Sequence, residues 1–121
     1  MTSQPGWDAA GLFEDSFLDA VKRLRGELLL EKQRGKLAVC GSLANSIGNL
    51  YYRNSKYQAA LGWFCVATKF RPDYAYSFCM VGRLRKRLQL GEYEVYLQES
   101  VKLDPGLELR LLQLENWRAA S

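Results

Sequence analysis

The chain of 121 residues contains no histidine. Histidine is the most frequent general base of enzymes and a common metal ligand, so its absence removes most catalytic-triad and metalloenzyme interpretations. Neither a G-x-G-x-x-G nor a G-x-x-x-x-G-K-[ST] phosphate-binding loop occurs, and the acidic residues form no recognisable pair. We therefore expect a protein that is not an enzyme and that uses no cofactor and no metal.

Cysteines and long apolar runs are also scarce. Cys40, Cys65 and Cys79 are an odd number without C-x-x-C spacing, which argues against a disulfide framework or a zinc site and indicates buried free thiols. No stretch approaches the roughly 20 apolar residues of a membrane-spanning helix. The start of the sequence lacks the charged residues and the apolar run of a signal peptide. These absences predict a location in the cytoplasm or an equivalent reducing compartment.

Acidic residues are nearly missing from the middle of the chain. Residues 32–87 contain one acid and eleven bases, whereas residues 1–31 and 88–121 each contain six acids and three bases. The net charge of +4 therefore conceals a basic segment between two acidic ones. Because such a field attracts negatively charged molecules and speeds their encounter, it predicts an anionic partner.

The first helix is predicted by one apolar stripe. Phe13, Phe17, Val21, Leu24 and Leu28 recur every three or four residues, and a glycine at position 35 can take the left-handed conformation that ends a helix. The residues before this helix, 1–10, are expected to be a flexible N-terminal segment, and residues 11–121 a single domain, which is ordinary for this length and composition.

Five more helices follow in the prediction. A capping box at Ser55 to Gln58 is expected to start the third helix, and Pro72 to end it. A last helix from about Leu107 is expected to cover the end of the domain. The remaining predicted elements are helix two over 37–54, helix four over 73–88 and helix five over 92–103, with a break at Gly91 before helix five.

Residues 41–74 resemble a tetratricopeptide repeat. The pattern is Ala44-x2-Ile47-Gly48-x2-Tyr51, then Ala60-x3-Phe64 and Pro72, with the opening Trp and the Leu of the family replaced. A weaker repeat over 75–105 places Phe78, Val81 and Gly82 one repeat period after Ala44, Ile47 and Gly48. The resemblance implies an all-α, right-handed superhelix of helical hairpins with a C-terminal capping helix, in which Gly48 lets the neighbouring helix approach closely.

The resemblance also implies where a partner binds. In this family the first helix of each repeat lines a concave groove, which corresponds here to helices two and four. Asn45, Asn49 and Tyr52 share one face of helix two, and Cys79, Arg83 and Lys86 stand at the same places one period later. Amides, a phenol and cations suit the backbone and carboxylates of an extended peptide. We expect a non-catalytic adaptor, chaperone or assembly factor that binds a net-acidic protein segment there.

One specific form of recognition is not expected. Some members of the family clamp a C-terminal carboxylate with a lysine and an asparagine one helical turn apart. Asn45 and Asn49 occupy these places here, so the lysine is missing. An internal acidic or mixed segment is the better prediction for the partner.

Two alternatives remain open from the sequence. The run Arg83 to Arg87, with tyrosines such as Tyr52, Tyr74 or Tyr76, is compatible with RNA or DNA binding through phosphates and base stacking. Trp63 is offset by about 100° from Phe64 on its helix, which would place it on the outer surface or against a neighbouring subunit. A monomer and a weak homo-oligomer are therefore both compatible with the sequence.

Overall fold

The computed structural model describes the backbone of residues 9–120 and the side chains of residues 16–116. In this part the fold is all-α, with no strand and with six helices, as predicted. The expected flexible segment 1–10 falls largely outside the described residues, as do the side chains of Phe13 and Trp117. The helices are α1 (Ala9–Gln33), α2 (Leu37–Arg53), α3 (Tyr57–Phe70), α4 (Ala75–Arg87), α5 (Tyr93–Leu103) and α6 (Leu107–Ala120).

Three helices end in the same kind of turn. Gly35, Ser55 and Gln89 have positive φ angles of 75°, 59° and 59° directly after α1, α2 and α4. In each turn this residue and the next donate backbone hydrogen bonds to the last turn of the helix, for example Ser55 N to Tyr52 O at 3.0 Å and Lys56 N to Tyr51 O at 2.9 Å. This is the Schellman arrangement, which satisfies carbonyl groups that the helix end leaves unpaired.

The capping box predicted at Ser55 is wrong. The residue at the N-cap of α3 is Lys56, and no side chain caps that helix. Ser55 is held in the left-handed conformation because it closes α2, whereas an N-cap residue that bonds to the following helix usually has extended backbone angles. Termination of the preceding helix therefore determines the backbone here, and the hydroxyl is not used as a cap.

The two helical hairpins repeat with a change of period. The turns at Ser55 and Gln89, after α2 and α4, are separated by one full period and share their hydrogen-bond pattern. Helices α3 and α5 end at Arg71 and Asp104, whose N–H groups donate to Ala67 O and Ser100 O. The separation of Arg71 and Asp104 along the chain is one residue shorter than the separation of Ser55 and Gln89. One position of the period is therefore lost between the α4–α5 turn and the end of α5.

The core has two clusters of buried side chains joined by Tyr51. The first lies between α1, α2 and α3, and its fully enclosed members include Cys40, Ala44 and Ile47. The second lies between α3 and α4 and is centred on Phe64. The predicted apolar stripes of these helices therefore face inward, and the burial of such side chains is the main force that stabilises helical hairpins.

Two glycines allow close helix contacts inside the hairpins. A Cβ atom added at Gly48 of α2 would lie 3.0 Å from ring atoms of Phe64 on α3. A Cβ atom added at Gly82 of α4 would lie 2.7 Å from side-chain atoms of Leu97 on α5. The prediction that Gly48 permits a close approach is confirmed, and Gly82 has the same role in the second hairpin.

Predictions were also made for Trp63 and for the three cysteines. The Trp63 side chain is half-buried and packs against the first core cluster, so it is not fully on the outer surface; a contact with a neighbouring subunit stays a prediction. Cys40, Cys65 and Cys79 are free thiols, and the first and last are buried.

Helix α6 contacts α4 and α5, but none of its described side chains is fully buried. Within residues 9–120, no helix has the length and apolar character needed to span a membrane.

Candidate partner-binding groove

Helices α2 and α4 are joined by two side-chain hydrogen bonds between polar residues. The Ser77 hydroxyl donates to Asn45 Oδ1 at 2.9 Å, and the Tyr76 hydroxyl donates to Asn49 Oδ1 at 2.6 Å. Both asparagines were predicted from the sequence to contact a bound partner. Their side-chain oxygens instead connect the two helices that form the floor of the predicted groove.

A cavity of about 240 Å³ opens beside this connection, and we refer to it as the groove cavity. It receives side chains from α2 and α4, as the repeat pattern predicts, and also from α6. A space of this size accommodates one or two side chains of an extended segment and is smaller than a typical site for a drug-sized molecule. Its lining residues are Asn49, Tyr52, Arg53, Tyr76, Met80, Arg83, Leu111, Leu114 and Glu115.

The groove cavity contains two arginines and one acid. Arg83 Nη1 donates to Glu115 Oε1 at 2.7 Å, which connects α4 to α6. Burial disfavours the charged guanidinium, but the hydrogen bond and the ion pair with Glu115 outweigh it and raise the pKa of Arg83. Arg53, by contrast, is exposed and forms no ion pair among the described side chains. The Arg83 guanidinium therefore keeps its positive charge at any physiological pH.

Tyr76 remains a neutral donor at the wall of the groove cavity. Burial raises the pKa of its hydroxyl. Since Asn49 accepts from this hydroxyl through its oxygen, its amide N–H groups remain to donate to a ligand. The site thus offers amide and guanidinium donors, which is the chemistry that binds carbonyl and carboxylate oxygens.

The structure brings together three of the six residues predicted for the site. Asn49, Tyr52 and Arg83 line the groove cavity. Asn45 and Cys79 are buried in the helix contacts, with 5% and 0% exposure. Lys86 is exposed but lies outside the lining, and its ammonium nitrogen is 5.6 Å from the centre of the Tyr93 ring on α5.

The other lining residues were not predicted from the sequence, although some of them carry a recognisable signal there. Arg53 is one helical turn after Asn49, and Tyr76, Met80 and Arg83 follow one another at spacings of four and three. The prediction instead took the residues of α4 that stand one repeat period after Asn45 and Tyr52, which are Cys79 and Lys86. The contribution of Leu111, Leu114 and Glu115 has no such signal, because it depends on how α6 is placed against α4.

Burial also determines the state of the nearby thiols. It raises the pKa of Cys79, although the positive charge of Arg83 partly opposes this, and it raises the pKa of the half-buried Cys65. Both groups are therefore thiols at neutral pH and weak nucleophiles. Among the described side chains, no three metal-binding groups of the His, Cys, Asp or Glu type lie close together.

The chain matches no protein-family model, and no curated protein matches it in sequence. Its function is therefore inferred from the arrangement of its own residues.

Proposed function

We propose that this chain is a tetratricopeptide-like protein that binds an extended, net-acidic segment of a partner protein in the groove cavity. It acts as a non-catalytic adaptor, chaperone or assembly factor. The repeated turns at Ser55 and Gln89 and the glycine contacts at positions 48 and 82 support the assignment to a superhelical repeat fold. These features recur at the period that characterises the family and lie at the places where its hairpins pack.

The observation that carries the proposal is the arrangement of donors around the groove cavity. Arg53 and Arg83 lie on neighbouring helices at the same cavity, together with the Asn49 amide. Guanidinium groups form paired, charge-assisted hydrogen bonds with carboxylates, and an amide can bind the peptide backbone. Met80, Leu111 and Leu114 supply an apolar surface beside these donors. An acidic residue followed by an aliphatic one is the sequence that fits this combination.

The proposal is tested with a displayed library of random peptides and purified protein. We expect the selected peptides to be enriched in Asp and Glu next to aliphatic residues. Binding of one selected peptide is then measured by fluorescence polarisation with the unaltered chain and with Arg53→Gln/Arg83→Gln. Losing charge-assisted hydrogen bonds to both arginines should weaken binding by about tenfold or more.

A matched control keeps the change in net charge but leaves the groove cavity intact. Lys32→Gln/Lys36→Gln alters two exposed cations near the α1–α2 turn, at the opposite end of α2 from Arg53. Its peptide affinity should stay within about twofold of the unaltered chain. Equal weakening by both double variants would mean that net charge alone attracts the peptide, and the groove assignment would be wrong.

A further inference from the structure

One edge of the helical array collects cations away from the floor of the groove. The α2–α3 turn and the α4–α5 turn lie beside each other. The guanidinium carbon of Arg87, at the end of α4, is 4.3 Å from the centre of the Tyr57 ring, at the start of α3, which shows that the two turns are adjacent. The basic edge is defined as Lys56, Arg85, Lys86 and Arg87.

These cations are available for an external anion. Three of the four are exposed, and Arg85 is half-buried, with its Nε donating to Gly91 O at 2.7 Å. Among the described side chains, none of the four forms an ion pair; the pairs found there involve Arg23, Arg34, Arg83 and Arg110. The residues of the two turns and their flanks, 54–57 and 85–94, contain four bases and two acids, Glu92 and Glu94.

Tyrosine rings support three of the cations. Arg87 lies over Tyr57, Lys86 over Tyr93 and Arg85 over Tyr96, at 4.3, 5.6 and 5.6 Å from the ring centres. Contacts of this kind hold a long side chain in place and reduce the entropy lost when it binds a ligand. The supporting ring faces are occupied by the cations, so they do not offer stacking platforms for bases.

We propose that the basic edge binds the phosphate backbone of a nucleic acid without reading its sequence. Closely placed, unpaired cations on two adjacent turns match a chain of regularly spaced negative charges, and such binding gains free energy from the release of counterions. Proteins that bind single strands commonly stack bases on aromatic rings. The basic edge differs from them, because its cations already cover the tyrosine ring faces. The edge is a second site, and its ligand does not depend on the groove cavity.

The test uses the full chain and fluorescein-labelled oligonucleotides of about 20 nucleotides, a single-stranded RNA and a duplex DNA, in anisotropy titrations at several salt concentrations. The two arms identify which nucleic acid supplies the phosphates. For single-stranded RNA, Lys56→Glu/Lys86→Glu/Arg87→Glu should reduce the slope of log K against log salt by about 2 and weaken binding at low salt more than tenfold. These three residues do not line the groove cavity.

Two controls separate the edge from net charge and from the groove. Lys22→Glu/Lys32→Glu/Lys36→Glu has the same change in charge on α1 and the α1–α2 turn, and it should keep at least half of the unaltered affinity. Arg83→Gln, which alters the groove cavity, should bind the oligonucleotides as the unaltered chain does. Far-ultraviolet circular dichroism confirms that each variant is folded.

Several outcomes would overturn the proposal. These are no anisotropy change with the unaltered chain at low salt, equal losses in the two triple variants, or a loss with Arg83→Gln as large as that with the edge variant. Competition by polyglutamate as strong as by RNA of equal charge would also overturn it, because the edge would then bind any polyanion. None of these results would affect peptide binding in the groove cavity, so the two functions are tested separately.

Discussion

Arg83 of α4 and Glu115 of α6 form a 2.7 Å ion pair at the groove cavity, in the place where a ligand carboxylate would bind Arg83. Glu115 is about half exposed, and no described side chain of α6 is fully buried. An acidic ligand must therefore compete with a carboxylate of the same chain. The lightly packed last helix then limits how strongly the groove binds.

Replacement of this internal carboxylate should increase affinity for acidic peptides. An exposed ion pair contributes roughly 0.2–1 kcal/mol, so Glu115→Gln should tighten binding by between about 1.4-fold and about fivefold in fluorescence polarisation. Glu108→Gln is the matched control, since it removes one negative charge from the same helix at a residue outside the groove cavity. An equal gain in both variants would mean that Glu115 acts only through net charge.

Substitution of the glycines between packed helices should destabilise the fold in a defined order. A Cβ atom at position 82 would lie 2.7 Å from Leu97 and 3.1 Å from the Tyr93 carbonyl oxygen, whereas at position 48 it would meet the Phe64 ring at 3.0 Å. Overpacking costs about 1–3 kcal/mol, of which the helix propensity of alanine returns up to about 1. Urea unfolding should therefore show Gly82→Ala as less stable than Gly48→Ala, and both as less stable than the unaltered chain.

Gly26→Ala is the control for this series. Gly26 lies inside α1 and has no atom within 4 Å of the added Cβ. The substitution should raise the free energy of unfolding by roughly 0.5–1 kcal/mol, because alanine restricts the unfolded chain and favours the helix. If Gly48→Ala and Gly82→Ala stabilise the protein as Gly26→Ala does, the close helix contacts are not present in solution.

Local features made most helix boundaries predictable from the sequence. Gly35 and Pro72 end their helices for reasons that involve a few neighbouring residues, and the observed boundaries differ from the predicted ones by at most two residues where the prediction gave a limit. The buried stripes were predictable for the same reason, since a helix with a 3.6-residue period has one apolar face. Ser55 was mispredicted because two local signals competed, and closure of α2 prevailed over capping of α3.

The groove cavity was predictable in part, because it depends on how separate helices meet. The contribution of α2 and α4, with Asn49, Tyr52 and Arg83, followed from the repeat pattern. Cys79 and Lys86 did not fit, because α4 directs Tyr76, Met80 and Arg83 toward the cavity. The position of α6 could not be inferred, since its apolar residues allow more than one placement and its ion pair to Arg83 joins residues that are far apart in the sequence.

Alkaline pH should destabilise the protein through its buried thiol. Burial raises the pKa of Cys79 above its ordinary value of 9.0. Above that pH the unfolded chain releases the proton while the folded chain retains it, so the free energy of unfolding falls as pH rises. Urea titrations between about pH 8 and 10 should show this decline. Cys79→Ala should reduce the slope, whatever its effect on stability at neutral pH, and an unchanged slope would contradict the burial of this thiol.

Asn45 should act as a structural residue rather than as a ligand residue. Its oxygen accepts from Ser77, its amide nitrogen is buried without a partner among the described side chains, and the residue is 5% exposed. Ser77→Ala leaves the whole amide unpaired, which should cost about 1–3 kcal/mol in urea unfolding. Asn45→Leu/Ser77→Ala replaces both polar groups with apolar ones of similar shape, so its stability should return to within about 1 kcal/mol of the unaltered chain.

The same double variant separates packing from recognition. Because Asn45 and Ser77 are both buried, peptide affinity in the groove cavity should change less than twofold, whereas Arg53→Gln/Arg83→Gln reduces it strongly. A double variant that is as unstable as the sum of its single variants would show that the two side chains do not form one unit. A large loss of peptide affinity with unchanged stability would instead place Asn45 in the binding site, as the repeat pattern first indicated.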